Sequence, residues 1–200
     1  MSFIKSNYKI VLASTSQIRA NIMKDSGLKF ETRSPDFDEE LFKIQNPNLN
    51  IKDLAIELAK NKALNVPDYK KDEIVIGCDQ ICEINAERLD KSTDENDALN
   101  QLLKLSGKTH FQNNAVAITL NNKVIFQNFT RVELKMHNLT KDQLARYVKK
   151  DMPIGCAGSY KYESLGKILF AKINGDHFSI LGMNIQQILS FLLKNNFIEI

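Results

Sequence analysis

The chain has few cysteines, no long apolar run and little net charge, and each shortage argues against a class of protein. Its three cysteines, Cys78, Cys82 and Cys156, form no Cys-x-x-Cys pair, so neither a disulfide framework nor a cysteine zinc site is expected. No apolar run is long enough to cross a bilayer. The first residues lack the apolar region of a signal peptide. We therefore expect a cytoplasmic protein that does not act at a membrane.

The charge balance argues against a nucleic-acid-binding protein. The net charge is only +3 over 200 residues, and basic pairs such as Lys70-Lys71 and Lys149-Lys150 are too short to form a binding stripe. Hydrophobic residues make up 43% and charged residues 26% of the chain, as in an ordinary globular protein. Residues 1–200 are predicted to form a single domain, with enough chain for two tightly joined lobes.

Apolar runs and helical spacings alternate along the chain, which predicts a mixed α/β fold. The predicted strands are 9–13, 30–33, 73–77, 114–120, 124–129, 130–136 and 167–173, with a turn at Asn121-Asn122. The predicted helices are 20–26, 51–66, 93–105, 140–150 and 185–193. Segment 34–40 is predicted to be a polar loop, and Ser92 with Glu95 to form a capping box.

The segment from Lys9 to Gly27 has the pattern of an anion site. An apolar strand leads into a hydroxyl-rich loop, Ser14-Thr-Ser16, and then into a helix with Arg19 in its first turn. Backbone N–H groups and the positive end of the helix dipole would converge there, with Ser16 as N-cap. The same pattern also fits a capped helix that only starts a fold, so this segment alone does not decide between the two.

Charged residues near the ends of other elements suggest phosphate chemistry with a metal. Asp79 is predicted to follow a buried strand directly, where sites of open α/β sheets lie. Asp38 and Glu39 offer carboxylate oxygens of the kind that Mg²⁺ or Mn²⁺ prefers. Lys62 and Lys91 are cations that could neutralise phosphate. Together these groups fit a metal-assisted reaction at phosphorus.

Five motifs are spaced along the chain: Leu12-Ala-Ser-Thr-Ser-Gln-Ile-Arg19, Asp38-Glu39, Leu58-Ala-Lys-Asn-Lys62-Ala63, Ile76-Gly-Cys-Asp79-Gln80 and Leu105-Ser-Gly-Lys-Thr-His110. In this order they resemble the Maf family, proteins known as septum formation inhibitors and regarded as nucleoside triphosphate pyrophosphatases with a house-cleaning role. Cys156-Ala-Gly-Ser-Tyr160, Ile173-Asn-Gly-Asp176 and Ile180-Leu-Gly-Met183 extend the likeness over nearly the whole chain. Asp79-Gln80 together with Cys156-Ala-Gly-Ser159 resembles the subgroup that hydrolyses 7-methyl-GTP.

The resemblance implies an elongated two-lobed fold with a mixed sheet, related to the inosine-triphosphate pyrophosphatases. It also implies a nucleotide in a central cleft and frequent homodimers. The implied reaction converts a nucleoside triphosphate to its monophosphate and pyrophosphate with Mg²⁺ or Mn²⁺.

The resemblance also implies a role for each matching residue. The phosphates would be gripped by Ser14, Ser16 and Arg19, and the triphosphate contacted by Lys62 and Lys91. Asp79 would act as general base, with Glu39 and Asp79 as metal ligands. Gln80 would lie near the base or the metal and tune substrate choice.

Several positions depart from the family pattern. Gln17 and Ala20 replace a proline and a second arginine, Asp90 and Ser92 flank Lys91, and Ser164 and Asn184 replace a glycine and a proline. These changes bear on substrate range and catalytic strength. A broader pyrophosphatase for UTP, CTP or TTP is therefore the alternative within the class. A non-catalytic, nucleotide-binding regulator of cell division is the alternative outside it, although such a protein would have no use for the catalytic carboxylates.

Overall fold

The computed structural model describes residues 3–200, and in that range a mixed sheet is combined with helices, which confirms the predicted fold class. The strands are β1 (Lys5–Ser6), β2 (Lys9–Ala13), β3 (Glu31–Arg33), β4 (Glu73–Ile84), β5 (Glu87–Leu89), β6 (Thr109–Leu120), β7 (Lys123–Met136), β8 (Phe170–Asn174) and β9 (Ile198–Glu199). The helices are α1 (Gln17–Asp25), α2 (Glu39–Gln45), α3 (Ile51–Leu64), α4 (Glu95–Leu105), α5 (Lys141–Asp151), α6 (His177–Ile180) and α7 (Ile185–Lys194), with a short 3-10 helix at Leu165–Leu169.

The main sheet has the strand order β3-β2-β4-β6-β7-β8, and β5 pairs with β4. Strand β2 runs parallel to both β3 and β4, whereas β5 is antiparallel to β4 and β8 is antiparallel to β7. A separate pair joins β1 to β9, with Lys5 opposite Glu199. The parallel strand β2 leads through a loop into α1. The neighbouring strands β6 and β7 are joined by the turn at Asn121-Asn122.

Several strand predictions were wrong in their extent. Strand β6 begins at Thr109 and not at residue 114. Strand β4 does not stop at Gly77 but continues to Ile84, so Asp79 lies inside a strand and not after its end. Residues 124–129 and 130–136 form one strand, β7, which runs without a break from Lys123 to Met136. The strand predicted at 167–173 begins only at Phe170, since the preceding residues form the 3-10 helix.

The helices agree more closely with the sequence, with two corrections. Helix α2 begins at Glu39 in the segment predicted to be a loop, with Asp38 as its N-cap. Helix α4 is capped by Asp94, whose side chain accepts from the Asp97 backbone, and not by Ser92. The capping box of α5, formed by Thr140 and Gln143, is present as predicted.

The chain divides into two compact units. The first unit contains the described residues up to Asp79, together with Asn114–Thr130 and Gly182–Ile200. Its small-residue core includes a cluster in which α3 packs on β2 and β4, with Val11, Ala13, Ala63, Val66 and Val75 buried.

The second unit contains Gln80–Asn113 and Arg131–Leu181. Helices α4 and α5 pack against each other and against the sheet residues of this unit. Buried members of the cluster include Cys82, Leu102, Leu134 and Leu144. The tight joining of the lobes and the central cleft stay predictions.

No helix within residues 3–200 has both the length and the apolar character that a membrane crossing requires.

Candidate functional site

Glycine 77 determines how closely helix α3 approaches strand β4. A Cβ atom at this position would lie 2.2 Å from the Ala59 carbonyl oxygen and 2.8 Å from the Ala63 amide nitrogen. The helix therefore packs directly on the strand backbone. Because side chains two residues apart point to the same face of a strand, Asp79 faces the same helix one step further along.

Lysine 62 joins two carboxylates in the first unit. Its ammonium Nζ lies 2.7 Å from Oδ1 of Asp79 and 2.9 Å from Oε1 of Glu39. The side chains of Lys62 and Asp79 are only 7% and 6% exposed, whereas that of Glu39 is 28% exposed. Burial of the Asp79 carboxylate requires such a cation, because an unpaired ionised group in the interior is strongly unfavourable.

The second oxygen of the Asp79 carboxylate has no partner among the described residues. Oδ2 is buried and accepts no hydrogen bond, while Oδ1 binds Lys62. Buried polar atoms are nearly always paired, so an orphaned carboxylate oxygen is the feature expected where a ligand, metal or water belongs. Asp38, by contrast, uses its Oδ1 to cap α2 by accepting from the Leu41 backbone at 2.9 Å.

Arginine 19 connects the start of α1 to the backbone beside Asp79. Its Nε donates to the Gly182 carbonyl at 2.9 Å, and its Nη1 donates to the Cys78 carbonyl at 2.9 Å. Two N–H groups of this guanidinium therefore hold the protein backbone. The Cys78 thiol itself is buried, and burial raises its pKa to about 11, so it stays protonated at neutral pH and is a poor nucleophile.

The two predicted phosphate-binding serines lie on the wall of one cavity. Ser14 Oγ accepts from the Ser16 backbone at 3.1 Å, and Ser16 Oγ caps α1 by accepting from the Arg19 backbone. The cavity measures about 580 Å³ and is also lined by Lys24 and Lys29. Sequence reasoning missed these two lysines, because neither belongs to a motif.

Glutamine 80 and Lys91 lie in the second unit. The side chain of Gln80 points to the opposite face of β4 from that of Asp79, and its Nε2 donates to the carbonyls of Ile180 at 2.9 Å and Ser179 at 3.3 Å. Lys91 is exposed between β5 and α4. Of the residues predicted for the site, the structure thus brings Glu39 and Asp79 into direct contact with Lys62.

Comparison with known proteins gives the same family over most of the chain. The family model described as Maf-like protein matches residues 9–195. A protein of Brucella abortus named 7-methyl-GTP pyrophosphatase is 33% identical over 195 residues, which are 96% of this chain and 98% of that protein. A protein of the same name from Vibrio parahaemolyticus is 36% identical over 196 residues, or 96% and 97% of the two chains.

A third relative is named for nucleoside triphosphates in general. The nucleoside triphosphate pyrophosphatase of Legionella pneumophila strain Philadelphia 1 is 32% identical over 185 residues, 92% of each chain. The motif order and these matches lead to the same conclusion: this chain belongs to the Maf family.

Proposed function

We propose that this protein hydrolyses a nucleoside triphosphate to the monophosphate and pyrophosphate. The observation that carries the proposal is the buried Asp79 carboxylate, which has one oxygen held by Lys62 and the other without a partner. The names of its relatives, 7-methyl-GTP pyrophosphatase and nucleoside triphosphate pyrophosphatase, support this reaction.

Aspartate 79 is proposed to act as the general base. Lys62 fixes the carboxylate through Oδ1, so Oδ2 can accept a proton from a water that attacks the α-phosphorus. A positioned base contributes by orienting the nucleophile and removing its proton as the new bond forms. The bond to the leaving pyrophosphate breaks in the same displacement, and nearby cations stabilise the charge that develops on the phosphoryl oxygens.

The residues present fit a divalent metal that is completed by the substrate. Within residues 3–200 no group of three or more His, Cys, Asp or Glu side chains could hold an ion by itself. Glu39 and Asp79, whose carboxylates converge on Lys62, would hold Mg²⁺ or Mn²⁺, since carboxylate oxygens are the ligands that these ions prefer. Magnesium is commonly bound by one or two carboxylates plus waters and substrate phosphates. When bound, the metal would neutralise phosphate charge in the reaction.

We propose 7-methyl-GTP as the preferred substrate, because two of the relatives described above carry that name. The broader UTP, CTP or TTP activity is the second candidate, favoured by the general name of the Legionella relative. Ser14, Ser16 and Arg19 are proposed to bind the phosphates, Lys91 to contact the triphosphate and Gln80 to influence substrate choice. A cytoplasmic location and a homodimer are further proposals, the latter tested by light scattering of the purified chain.

The proposal is tested by measuring pyrophosphate release with Mn²⁺ or Mg²⁺ against 7-methyl-GTP, UTP, CTP, TTP, ITP and the common nucleotides. We expect wild-type protein to release pyrophosphate, and Asp79→Asn to lower kcat by about 100-fold or more, since the amide cannot accept the proton. Asp72→Asn is a matched control, because Asp72 is exposed and its positive φ suits asparagine.

Two outcomes would contradict the proposal. Equal rates for wild type and Asp79→Asn would show that Asp79 is not the base. A folded wild-type protein that binds nucleotides without releasing pyrophosphate would favour the regulatory alternative.

A further inference from the structure

The ammonium of Lys62 lies on the same two carboxylates that are proposed to hold the metal. Its Nζ contacts one oxygen of Asp79 and one of Glu39, and the lysine side chain is buried. A metal ion bound by both carboxylates would approach these oxygens as well. The ion and the ammonium are both positive, so they repel each other when they share these ligands.

The charges of this cluster leave it incompletely neutralised. Two carboxylates and one ammonium sum to a single negative charge, and the orphaned Oδ2 of Asp79 belongs to that excess. The cluster therefore attracts a cation, but the cation that it already contains opposes a second one. A triphosphate changes this balance, because its oxygens offer Lys62 another acceptor.

We infer that the ammonium of Lys62 competes with the metal for the carboxylates of Glu39 and Asp79. It prevents the metal from binding there until a nucleotide binds Lys62 and releases the two carboxylates. The inference rests on the proposed function, since it concerns the metal site proposed there. It goes further by giving Lys62 a second task, which is to couple metal binding to nucleotide binding. By linkage, the nucleotide and the metal then raise each other's affinity.

The direct test is calorimetric titration of the nucleotide-free full-length protein with Mn²⁺. In Lys62→Met the competitor is absent and the aliphatic stem is nearly retained, so we expect Mn²⁺ to bind at least about tenfold more tightly than in wild type. Lys62→Arg retains the positive charge and is expected to bind Mn²⁺ no more tightly than wild type does.

Lysine 60 provides the matched control on the same helix. Its Nζ pairs with Glu57 at 2.7 Å, and both side chains are partly exposed. Lys60→Met removes one positive charge without touching Glu39 or Asp79, so its Mn²⁺ affinity should stay within about twofold of wild type, because solvent screens the lost charge. Equal or weaker Mn²⁺ binding by Lys62→Met than by wild type, or no binding by either protein, would overturn the inference.

A second measurement on wild-type protein decides the matter if Lys62→Met does not fold. Acetic anhydride is applied with and without saturating Mn²⁺, and acetylation of each lysine is followed by mass spectrometry. Mn²⁺ should increase labelling of Lys62, which is released from its carboxylates, and leave Lys60 unchanged. Unchanged labelling of Lys62 would mean that metal and lysine do not compete. Since neither measurement uses a nucleotide, failure of this inference is distinguishable from failure to release pyrophosphate.

Discussion

At the scale of single residues, Glu73 is a buried carboxylate bound on several sides. Arg33 binds both of its oxygens, at 2.7 and 2.8 Å, and the Lys70 backbone donates to Oε2 at 3.0 Å. The Arg33 hydrogen bonds are the main cause that lowers the pKa of Glu73 to about 2. The Glu73 side chain is 2% exposed, and this ion pair joins the last residue of β3 to the first residue of β4.

We expect Glu73→Gln to lower the free energy of unfolding by about 3 kcal/mol at pH 7, since the largely covered Arg33 guanidinium would keep only the more exposed Glu31 carboxylate as a charged partner. In wild type the contribution is present above the unfolded-state pKa and is lost as pH falls from about 4.5 toward 2. Urea unfolding at several pH values measures both effects. The control Glu57→Gln removes a half-exposed pair and should cost under about 1 kcal/mol; similar costs for the two variants would contradict the prediction.

Several of the replaced motif residues make a hydrogen bond or an ion pair in the structure. Gln17 donates to Asn21 at 2.9 Å on α1, and Ser164 donates to Asp151 at 2.6 Å. Asn184 caps α7 and also donates to Thr130 at 3.0 Å. Asp90, the carboxylate beside Lys91, lies 3.4 Å from Nε of Arg88. These contacts give the departures a structural role at their own positions.

At the scale of elements, the packing of α3 on β4 is the contact that positions Lys62. We expect Gly77→Ala to lower the free energy of unfolding by about 3 kcal/mol, since the new methyl group meets backbone atoms that cannot rotate away. The displaced helix should also lose the Lys62 contact, so pyrophosphate release should fall. Urea unfolding and the release assay measure the two effects.

The variant Gly155→Ala is the control that distinguishes close packing at Gly77 from backbone strain. Gly155 has φ +75°, and a Cβ there would meet nothing within 4 Å. Gly155→Ala should therefore cost only about 1 kcal/mol, from the left-handed conformation alone. If the two alanine variants were equally stable, close packing at Gly77 would not be what sets the position of α3.

The sequence predicted the elements that depend on local patterns. The strand Lys9–Ala13, the cap at Ser16, the turn at Asn121-Asn122 and the capping box of α5 depend on neighbouring residues, and all are present. The extent of β4 was wrong because Asp79 reads as the end of an apolar run, whereas pairing with neighbouring strands extends the strand to Ile84.

The candidate site was predicted as a set of residues but not as a geometry. Lys62 and Asp79 are 17 positions apart. They meet because Gly77 has no side chain, which lets helix α3 approach strand β4 closely. Nothing local indicated that Arg19 would bind the Cys78 and Gly182 carbonyls, or that Gln80 would bind those of Ser179 and Ile180. Such contacts join segments far apart in sequence, and spacing carries no signal for them.

At the scale of the whole molecule, the two units contain buried groups that respond to different ranges of pH. In the second unit, burial lowers the pKa of His110 to about 4, and its Nε2 lies 3.1 Å from the Tyr160 hydroxyl. As pH falls below about 6.5, His110 becomes protonated in the unfolded chain before it does so in the folded one. The free energy of unfolding therefore declines as pH falls from about 6.5 toward 4. In the first unit, the stabilisation that Glu73 contributes declines only when pH falls below about 4.5.

We therefore expect the second unit to lose stability between pH 7 and pH 5 while the first changes little. Hydrogen exchange of peptides from each unit, corrected for intrinsic exchange rates, gives the two opening free energies. His110→Asn should reduce the decline in the second unit. Equal declines in both units of wild type would contradict this expectation.

The division of the chain has a consequence for its synthesis. The chain passes from one unit to the other after Asp79, Asn113, Thr130 and Leu181. A ribosome delivers residues in order over many seconds, so the last residue of the second unit emerges before residues 182–200, which the first unit still lacks. The second unit, whose chain starts later, is thus the first to be fully synthesised, and the unit that contains Lys62 is completed only when α7 has been made.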